Sequence, residues 1–446
     1  MRRFEEEDLQ SMHHSGMPLK VSNYFLLYPK THDGPAIGVN TKTGGAYAFN
    51  EETFENLNRL LSRPNDSDND QILRSFLLDH QILIEEDHSE LRALQTKYRS
   101  ARVSSEELYV TYSLTGACNF RCTYCYQDHK NVSLSTEAIE KTIGYICNEL
   151  PKYRKLKVHW FGGEPMLRMK WIEETSRRLF SITDKMEKEY FSGITTNGSL
   201  FNRQNAKILK DVRVKQVQFT LDGGEIEHNK LRVLKDGAGT FSAVMDAIQL
   251  SAEMEFHTFV RINLSPHNIN SIESMLKQLE SRGLGPKKIR LYINEMKDHG
   301  GGGSPSMYWK DLQTYGNALI EALKIVKKYG YPAPRIAPID INCAFDKPSS
   351  VLFGENGDIY HCTTGTDKAM ATIDDHGKII SRSKYMDFIH RREPWDDPTC
   401  RECSYLPICM GGCAYLDEAG KVKCNPDGLV LEKLVRLSIN PTVSNF

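Results

Sequence analysis

Ten of the eleven cysteines fall into two spaced sets, and the first set has the spacing of a cluster-binding loop. Cys118, Cys122 and Cys125 are separated by three and two residues in the run ACNFRCTYCYQ. Three thiolates that close one short loop can hold a [4Fe–4S] cube by three of its irons, which leaves the fourth iron free to bind a small chelating molecule. The spacing therefore predicts an iron–sulfur cluster with one open iron, and we place the chemistry of the chain there.

The second cysteine set lies in the last quarter of the chain and is large enough for further clusters. Its members are Cys343, Cys362, Cys400, Cys403, Cys409, Cys413 and Cys424. Zinc also binds sets of four cysteines, and disulfides form in oxidising compartments. The N-terminal run MRRFEEEDLQ has no apolar signal region, which favours a cytoplasmic location with reduced thiols. We therefore expect iron–sulfur clusters rather than either alternative.

The length and charge of the chain favour a large enzyme and argue against two kinds of partner. Its 446 residues are enough for about two to four domains with ample core. The formal net charge of −1 gives no basic field that would attract nucleic acid. No apolar run is long enough to span a bilayer. We expect no nucleic-acid partner and no membrane partner.

Strands and helices alternate from Leu108 to about Met296, which is typical of a parallel α/β sheet with helical crossovers. The strand candidates are Leu108–Ser113, Leu156–Trp160, Tyr190–Ile194, Val214–Thr220, Thr258–Asn263 and Lys288–Ile293. Helical stretches such as 136–150 and 169–185 lie between them. Six units of this kind predict a barrel-like sheet, whose functional loops follow the carboxyl ends of the strands.

The sequence motifs that could do chemistry follow these strands one by one. The cysteine triplet follows the first strand, and the run Gly162-Gly163-Glu164-Pro165 follows the second. The run TTNG with Asn197 follows the third strand, and LDG with Asp222 follows the fourth. Because the carboxyl ends of parallel strands meet at one edge of a sheet, we expect these motifs to converge on one site.

Residues 1–20 are polar and predict a flexible tail, whereas residues 21–88 have the pattern of a small winged helix. In this pattern a strand hairpin that turns at Gly44 precedes two helices and a closing strand. The second helix, in DNDQILRSFLLDH, carries Arg74 alone among several acidic residues, which disfavours DNA binding. An exposed strand edge beside a helix is suited to pairing with an extended peptide. The alternative is a domain that only packs on the rest of the protein.

From about residue 105 to residue 430 the chain resembles the radical S-adenosylmethionine (SAM) enzymes that carry a C-terminal SPASM domain. The cysteine triplet has the family spacing in full, and the second set matches it closely. The resemblance implies a partial (β/α)6 barrel in which Cys118, Cys122 and Cys125 bind a [4Fe–4S] cluster. In such enzymes the open iron chelates SAM, and one electron from the cluster cleaves SAM to methionine and a 5′-deoxyadenosyl radical that abstracts a substrate hydrogen.

The resemblance also implies which residues contact the adenine and the methionine ammonium of SAM. Tyr124, which precedes the third cysteine, would lie near the adenine. Gly162, Gly163 and Glu164 would accept hydrogen bonds from the ammonium. Glycine suits such a position because the backbone can approach the ligand without a side chain in the way.

Three later side chains complete the implied SAM site. Asn197 and Asp222 would face the ribose and methionine portions, and Arg232 would pair with the methionine carboxylate as a charge-assisted fork. Each has an ordinary alternative. Asn-Gly and Asp-Gly pairs are common turn formers, and Arg232 could be a solvated surface charge.

The family's ligation pattern divides the second cysteine set between two auxiliary [4Fe–4S] clusters. The distal cluster would be bound by Cys400, Cys403, Cys409 and Cys424. The proximal cluster would be bound by Cys343, Cys362 and Cys413. Seven thiolates thus serve eight irons, which leaves the proximal cluster with an open iron or with a ligand from elsewhere.

The candidate donors for that last iron are Cys147, Asp340 and Asp367. Cys147 shares a predicted helical stripe with Ile143, so packing in the core is its alternative role. An open auxiliary iron could bind a substrate thiolate, which is a reason to consider thioether formation. In the alternative, both auxiliary clusters only conduct electrons or stiffen their domain.

These observations divide the chain into seven expected segments. They are the flexible tail 1–20, the winged helix 21–88, a linker helix 89–104, the radical SAM core 105–300, a bridging segment 301–334, the SPASM domain 335–430 and a C-terminal tail 431–446. Within the family, a PqqD-like N-terminal winged helix implies a precursor peptide whose leader binds that domain. An external one-electron donor such as flavodoxin or ferredoxin is the second implied partner.

The predicted function is a cytoplasmic peptide maturase that forms an intramolecular cross-link, most readily a thioether from a Cys sulfur to a carbon. Carbon–carbon cross-linking and epimerisation are the alternatives within the same chemistry. A sulfatase-maturing, formylglycine-generating enzyme is disfavoured, because one auxiliary cysteine is missing and Thr363 stands where those enzymes have an Asp base. The alternative without catalysis is an iron–sulfur electron-transfer or scaffold protein. We assign no catalytic side chain beyond the cluster and SAM.

Overall fold

The computed structural model describes the chain in several stretches, and the first of them form a small domain with its own core. The described residues are 17–32, 34–67, 70–299, 303–360, 362–364, 369–380, 383, 385, 387, 393–413, 424 and 426–438. The elements of this first part are β1 (Leu19–Val21), β2 (Phe25–Tyr28), β3 (Ala36–Asn40), β4 (Gly45–Phe49), α1 (Glu51–Ser62), α2 (Gln71–Asp79), β5 (Leu83–Glu85) and α3 (Glu90–Arg102). Leu57, Leu60 and Leu77 are buried at the centre of its core.

Strands β2, β3 and β4 form an antiparallel sheet, and β1 pairs with β5. The hairpin and the two helices expected here are present, with Asn50 and Asp70 as the N-caps that accept backbone hydrogen bonds of α1 and α2. The sequence analysis assigned Leu19 and Lys20 to a flexible tail, whereas both lie in β1. Their partner strand is distant in the sequence, so no local pattern revealed the pairing.

The central sheet has eight strands in the order β11-β10-β9-β8-β7-β6-β12-β13. Its strands are β6 (Glu107–Ser113), β7 (Lys155–Phe161), β8 (Glu189–Thr195), β9 (Val214–Thr220), β10 (His257–Leu264), β11 (Ile289–Glu295), β12 (Ser350–Phe353) and β13 (Ile359–Tyr360). Strands β6 to β11 are parallel, and each pairs with its neighbour in the chain. The six strands expected from the alternation are therefore confirmed as a partial barrel of radical SAM type.

Helices connect the parallel strands and cover one face of the sheet. They are α4 (Thr136–Glu149), α5 (Met169–Lys185), α6 (Arg203–Asp211), α7 (Glu225–Leu231), α8 (Phe241–Glu253) and α9 (Ile272–Ser281). The strand side chains that face the helices are buried, among them Val110, Val158, Val217 and Val260, and they form one core with the apolar stripes of these helices. The opposite face of the strands is only partly buried. Because this core holds neighbouring strands in register, it fixes the ends of the strands, and the loops that follow them, relative to one another.

The C-terminal part of the chain adds two strands to the same sheet. Strand β12 pairs in parallel with β6, and β13 turns back on β12. The remaining elements are α10 (Leu312–Lys328), β14 (Thr372–Ile373), β15 (Ile379–Ile380), α11 (Pro398–Arg401), α12 (Leu406–Cys409), α13 (Pro426–Leu429) and α14 (Leu431–Ser438). The cysteines of the second set lie between and within these short elements.

Helix α14 corrects the expectation of a tail from residue 431 onward. Leu431, Leu434 and Val435 are buried, and Leu431 and Val435 pack against Ile37 and Val39 of β3. The tail was expected because the segment is short, yet its stripe of apolar residues gains a partner from the N-terminal domain. Residues 439–446 lie outside the described part. Among the described residues, no helix is both long and apolar enough to cross a membrane.

Candidate active site

The loops that follow the six parallel strands enclose a cavity of about 250 Å³. Cys118 enters it from the loop after β6, Gly162 from the loop after β7 and Asn197 from the loop after β8. Arg232 reaches it from the segment after α7, and Met296 lies where β11 ends. The structure thus brings together motifs that are spread over nearly two hundred residues of sequence.

The cysteine triplet is held in place by a backbone ladder with the segment that contains Arg232. The Arg121 N–H donates to the Val233 carbonyl at 2.8 Å, and the Thr123 N–H donates to the Leu231 carbonyl at 2.9 Å. This ladder fixes Arg232 opposite the triplet loop. It also explains why a loop with three unpaired thiols keeps a defined shape, since its backbone groups are satisfied by the neighbouring strand-like segment.

The three thiols of the triplet are partly buried and close enough to influence one another. Burial raises the pKa of Cys118 and of Cys122 to about 11, and it raises the pKa of Cys125 as well. A neighbouring triplet thiol adds to the effect in each case. Free thiols in this setting stay protonated at neutral pH, so thiolates form here when a metal compensates their charge.

The chemistry of the donor set fits a cluster. Three cysteine sulfurs on one short loop can each bind a separate iron of a [4Fe–4S] cube. Among the described residues, no group of three His, Cys, Asp or Glu side chains is arranged to hold a metal ion.

The glycine pair after β7 is required by the close approach of the triplet loop. Gly162 has a φ of +124°, and a Cβ atom there would lie 2.6 Å from the Thr115 carbonyl oxygen. A Cβ atom on Gly163 would lie 2.3 Å from the Ala117 carbonyl oxygen. The Gly163 N–H also donates to the Thr115 carbonyl at 2.7 Å. The glycines therefore join two loops, in addition to any approach they allow to a ligand.

We expect the substitution Gly163→Ala to destabilise the protein and to reduce its bound iron. The added methyl group meets a backbone oxygen that cannot rotate away, and such overpacking costs about 1–3 kcal/mol of unfolding free energy. Denaturant unfolding and iron analysis would measure both effects. Gly285→Ala is the matched control, because nothing lies within 4 Å of its Cβ position. Equal stability of the two variants would contradict the role given to Gly163.

Glu164 is fully buried. Its side chain connects two loops and does not line the cavity. Its carboxylate accepts hydrogen bonds from the Thr196 hydroxyl at 2.8 Å, the Asn197 N–H at 2.7 Å and the Met166 N–H at 2.9 Å. Both carboxylate oxygens are used, so the side chain has little capacity left for a ligand ammonium. Its role is to fix the loop after β8 against the loop after β7.

Asn197 contacts the triplet loop directly. Its side-chain N–H2 donates to Asn119 Oδ1 at 2.8 Å and lies 3.7 Å from Cys118 Sγ, while its Oδ1 accepts from Ser199. It lines the cavity as expected, and it also orients the first cysteine. Its expected contact with the ribose or methionine portion of a ligand stays a prediction.

Tyr124, Asp222 and Arg232 form a buried network at the cavity wall. The Arg232 guanidinium donates to the Tyr124 hydroxyl at 2.6 Å and lies 3.9 Å from Asp222 Oδ2, and the Tyr124 hydroxyl donates to Asp222. The other Asp222 oxygen accepts the Asn263 N–H at 2.8 Å. Burial raises the pKa of Asp222, and its cationic and hydroxyl neighbours oppose that rise. Asp222 lies beneath Tyr124 and does not line the cavity, which differs from its expected contact with the ligand.

The residues present fit an anionic ligand group beside the triplet. Arg232 is 7% exposed, lines the cavity, and its Nε has no hydrogen-bond partner among the described residues. A buried guanidinium nitrogen without an acceptor is costly unless a ligand supplies one. A carboxylate such as that of the methionine portion of SAM has the required charge and shape. Arg232 is buried at the cavity wall and is not a solvated surface charge, and its pairing with a ligand carboxylate stays a prediction.

Residues 112–279 match the family model described as the radical SAM superfamily. The chain therefore contains a radical SAM domain. This family uses a [4Fe–4S] cluster and SAM, in agreement with the triplet, the glycine loop and the guanidinium that converge on the cavity.

Curated relatives resemble part of the chain. Fe-coproporphyrin III synthase of Methanosarcina barkeri is 23% identical over 52% of this chain and 56% of its own length. GTP 3′,8-cyclase of Campylobacter jejuni is 30% identical over 39% of this chain and 53% of its own length. The chain spans about half the length of the curated relatives it matches.

Solved structures resemble more of the chain, at low sequence identity. The structure of anSMEcpe with bound AdoMet and Cp18Cys peptide has a TM-score of 0.57 and 18% identity, and the match covers 75% of this chain and 97% of that one. Streptococcus suis SuiB bound to precursor peptide SuiA has a TM-score of 0.51 and 14% identity, with 92% and 99% covered. These likenesses show the fold that surrounds the radical SAM domain.

Three cysteines of the second set lie together at the side of the radical SAM domain. Burial raises the pKa of Cys343 to about 12, and the nearby Asp346, Cys362 and Cys413 contribute to the rise. This is the trio that the family pattern assigns to the proximal cluster. Cys424, by contrast, is exposed, and the residues around it fall outside the described part.

The candidate donors for a further iron are only partly described. Cys147 lies on α4 and packs against the main core, as its helical stripe indicated. Asp340 lies three residues before Cys343, and Asp367 is outside the described residues.

Several residues that line the cavity were not expected from the sequence. They are Tyr126, Gln127, His129, Phe161, Thr195, Gln218, Thr220, Arg261, Asn263, Glu295, Lys297, His299 and Thr364. The polar residues Gln218, Thr220, Arg261 and Asn263 alternate within strands that are otherwise apolar. A polar side chain repeated at every second position of a buried strand was the available signal.

Proposed function

We propose that this chain is a radical SAM enzyme that forms an intramolecular cross-link, most readily a Cys thioether, in a ribosomally made peptide. The observation that carries the radical chemistry is the single cavity shared by the triplet, the glycine loop and Arg232. When bound, the cluster and SAM supply a 5′-deoxyadenosyl radical that takes a hydrogen atom from the substrate. The cysteine-rich segment from about residue 335 to 430 fits a SPASM domain with two auxiliary clusters.

A second cavity supports a peptide as the substrate. It measures about 690 Å³ and shares six lining residues with the first, among them Tyr126, His299 and Thr363. It opens beside β12 and is lined by Asp128, Lys130, Glu355 and Tyr360 as well. A peptide side chain that enters through this polar space can reach the cavity with Arg232, while it passes close to the Cys362 loop.

The protein's own side chains favour cross-linking over formylglycine formation. Thr363 lines both cavities next to Cys362, and Tyr126 contacts it. A threonine hydroxyl is a poor proton acceptor, so the position lacks the base that formylglycine formation requires. The trio Cys343, Cys362 and Cys413 supports an auxiliary cluster with one iron free for a substrate thiolate.

The N-terminal domain offers a surface for the leader of such a peptide. Strand β4 is an edge of its sheet, and its Tyr47 ring lies edge-on to Phe76 of α2 at 5.3 Å. Ile72, one turn before Phe76, is 76% exposed. An extended segment can add to the β4 edge by backbone hydrogen bonds and place apolar side chains on this face of α2.

We expect Ile72→Asp to weaken binding of the leader by about tenfold, because a charge enters an apolar contact at a cost of one to two kcal/mol. Ile72 is exposed, so the fold loses little. Fluorescence anisotropy with a labelled leader peptide would measure the affinity. Val103→Asp is the matched control, since Val103 is 77% exposed and lies outside this surface. Equal affinities of the two variants would refute the proposed leader site.

The mass of a reacted peptide tests the proposed function as a whole. Small reading frames adjacent to this gene would be co-expressed with it without oxygen, and each product would be compared with its unmodified form by tandem mass spectrometry. A loss of two hydrogens with suppressed fragmentation between two residues is expected for a cross-link. Thiol blocking then shows whether sulfur takes part. An unchanged mass that rises in heavy water would indicate epimerisation and overturn the cross-link.

A further inference from the structure

The segment that carries three cysteines of the expected distal set is also the docking surface of the N-terminal domain. This segment, residues 398–413, has α11 and α12 as its helices, each of four residues. A helix of one turn has no stability of its own in water. Its shape must therefore come from contacts and, where a cluster is bound, from the ligand bonds of Cys400, Cys403 and Cys409.

Two groups of contacts connect the segment with the N-terminal domain. Tyr24 is buried in a small core with Leu406, Met410 and partly buried Cys400. The Thr41 hydroxyl donates to the Ser404 carbonyl at 2.6 Å, directly after Cys403. Both contacts link the loops that flank β2 and β3 to the residues next to the cysteines.

The face of β3 makes the second contact with the same segment. Ile37 and Val39 are buried and share a core with Tyr405 and Ile408, which lie between Cys403 and Cys409. Tyr28 hydrogen-bonds with Tyr405 as well. Nearly every residue between Cys403 and Cys409 thus faces either the N-terminal sheet or the adjacent helix α3.

A separate core lets the N-terminal domain keep its fold while its docking changes. Leu57, Leu60 and Leu77 belong to that core, which has no member in residues 398–413. The domain also has a second anchor, because the Arg436 guanidinium on α14 donates to the Pro35 and Pro29 carbonyls. Loss of the first surface would loosen the domain on the protein without unfolding it.

We infer that the distal cysteine set is a structural latch: cluster binding there orders residues 398–413 and so fixes the N-terminal domain in its docked position. The inference rests on the cluster content of the proposed function and is independent of the substrate. The distal cluster would then have a structural role in addition to electron transfer. The N-terminal domain, which is proposed to bind the leader, would keep a fixed distance from the cavity only when the distal cluster is bound.

Amide hydrogen exchange of the Cys403→Ala variant, with iron analysis of the same sample, tests the latch. We expect exchange in residues 22–28, 36–41 and 398–413 to rise by about tenfold, while α1 and α2 keep their protection. Cys362→Ala is the matched control, because it removes a cysteine of the other trio, whose member Cys413 lies at the end of the segment. It should lose iron while exchange in residues 22–28, 36–41 and 398–409 stays at the level of the parent protein. Iron loss in Cys403→Ala with unchanged exchange would overturn the latch and leave the proposed function intact.

The reverse experiment covers the case in which Cys403→Ala fails to fold. Tyr24→Ala removes a docking contact and no cysteine, so the loaded variant should release iron to a chelator several times faster than the parent protein. Chelator absorbance would follow the release in time. An unchanged rate would overturn the coupling. If the parent protein holds only enough iron for the triplet and the Cys343 trio, the cofactor set of the proposed function is wrong, and the latch falls with it.

Discussion

Replacement of Cys122 by alanine is expected to abolish the formation of 5′-deoxyadenosine from SAM. Cys122 is the middle residue of the triplet, and two thiolates cannot hold a cluster that needs three. The rate should fall by about a thousandfold or more, to the level without protein, because no other site in the proposal can cleave SAM. Iron should fall from about twelve to about eight atoms per chain if three [4Fe–4S] clusters are present.

Two readouts separate this loss from general damage. The auxiliary clusters should remain visible by electron paramagnetic resonance in the Cys122→Ala protein, because their ligands lie in another segment. Cys147→Ala is the matched control: Cys147 is also partly buried and packs on the main core, yet it is outside the triplet. Its variant should keep nearly full activity. If the Cys122→Ala variant still formed 5′-deoxyadenosine, the triplet would not be the ligand set of the cluster that cleaves SAM.

The same experiment distinguishes an enzyme from an electron carrier. A protein that only conducts electrons would form no 5′-deoxyadenosine in either variant or in the parent. The radical SAM match over residues 112–279 favours the enzyme. The buried Arg232 Nε points the same way, since a carrier would have no use for a guanidinium nitrogen that lacks an acceptor beside its cluster.

The barrel could be predicted from the sequence because its signals are local. Each parallel strand is a short run that contains apolar residues at the positions facing the helices, and each of the first five is followed by a helix with its own stripe and often its own cap, such as Ser135 before α4. The order of these units in the chain is also their order in the sheet. The positions of the triplet, Gly162 and Asn197 at one edge follow from that order alone.

The non-local pairings could not be predicted in the same way. Strand β12 joins the sheet beside β6 although more than two hundred residues separate them, and its four residues carry no pattern of their own. The contact between α14 and β3 is similar. In both cases the partner decides the structure, and a sequence window that contains only one member gives no indication of it.

The side chains of the site show a second limit of prediction from the sequence. Glu164 and Asp222 stand in motifs at strand ends, so both were expected to contact the ligand. In the structure their carboxylates are fully buried and satisfied by neighbouring loops. A buried carboxylate at such a position can contact the ligand, or it can position the loops that contact the ligand. The sequence motif is the same for both roles. Only the hydrogen-bond partners distinguish them.

Replacement of Arg232 by lysine is expected to weaken SAM binding while leaving the fold intact. Lysine keeps the positive charge near Asp222, so the buried carboxylate retains a cation and the unfolding free energy should change little. It lacks the planar fork, however, and cannot present two parallel N–H groups to a carboxylate. Loss of one charge-assisted hydrogen bond costs about 1.5–3 kcal/mol, which corresponds to about a 10- to 100-fold weaker affinity for SAM.

Equilibrium dialysis of the reconstituted protein under anaerobic conditions would measure this affinity. Arg213→Lys is the matched control, because Arg213 makes a bidentate pair with Asp184 at 2.7 Å for both contacts, at an exposed position far from the cavity. It loses the same fork without reaching the ligand, so its SAM affinity should equal that of the parent. If Arg232→Lys also bound SAM normally, the guanidinium would serve only Tyr124 and Asp222. The Nε would then need another acceptor, and the proposed peptide substrate would be the first to test.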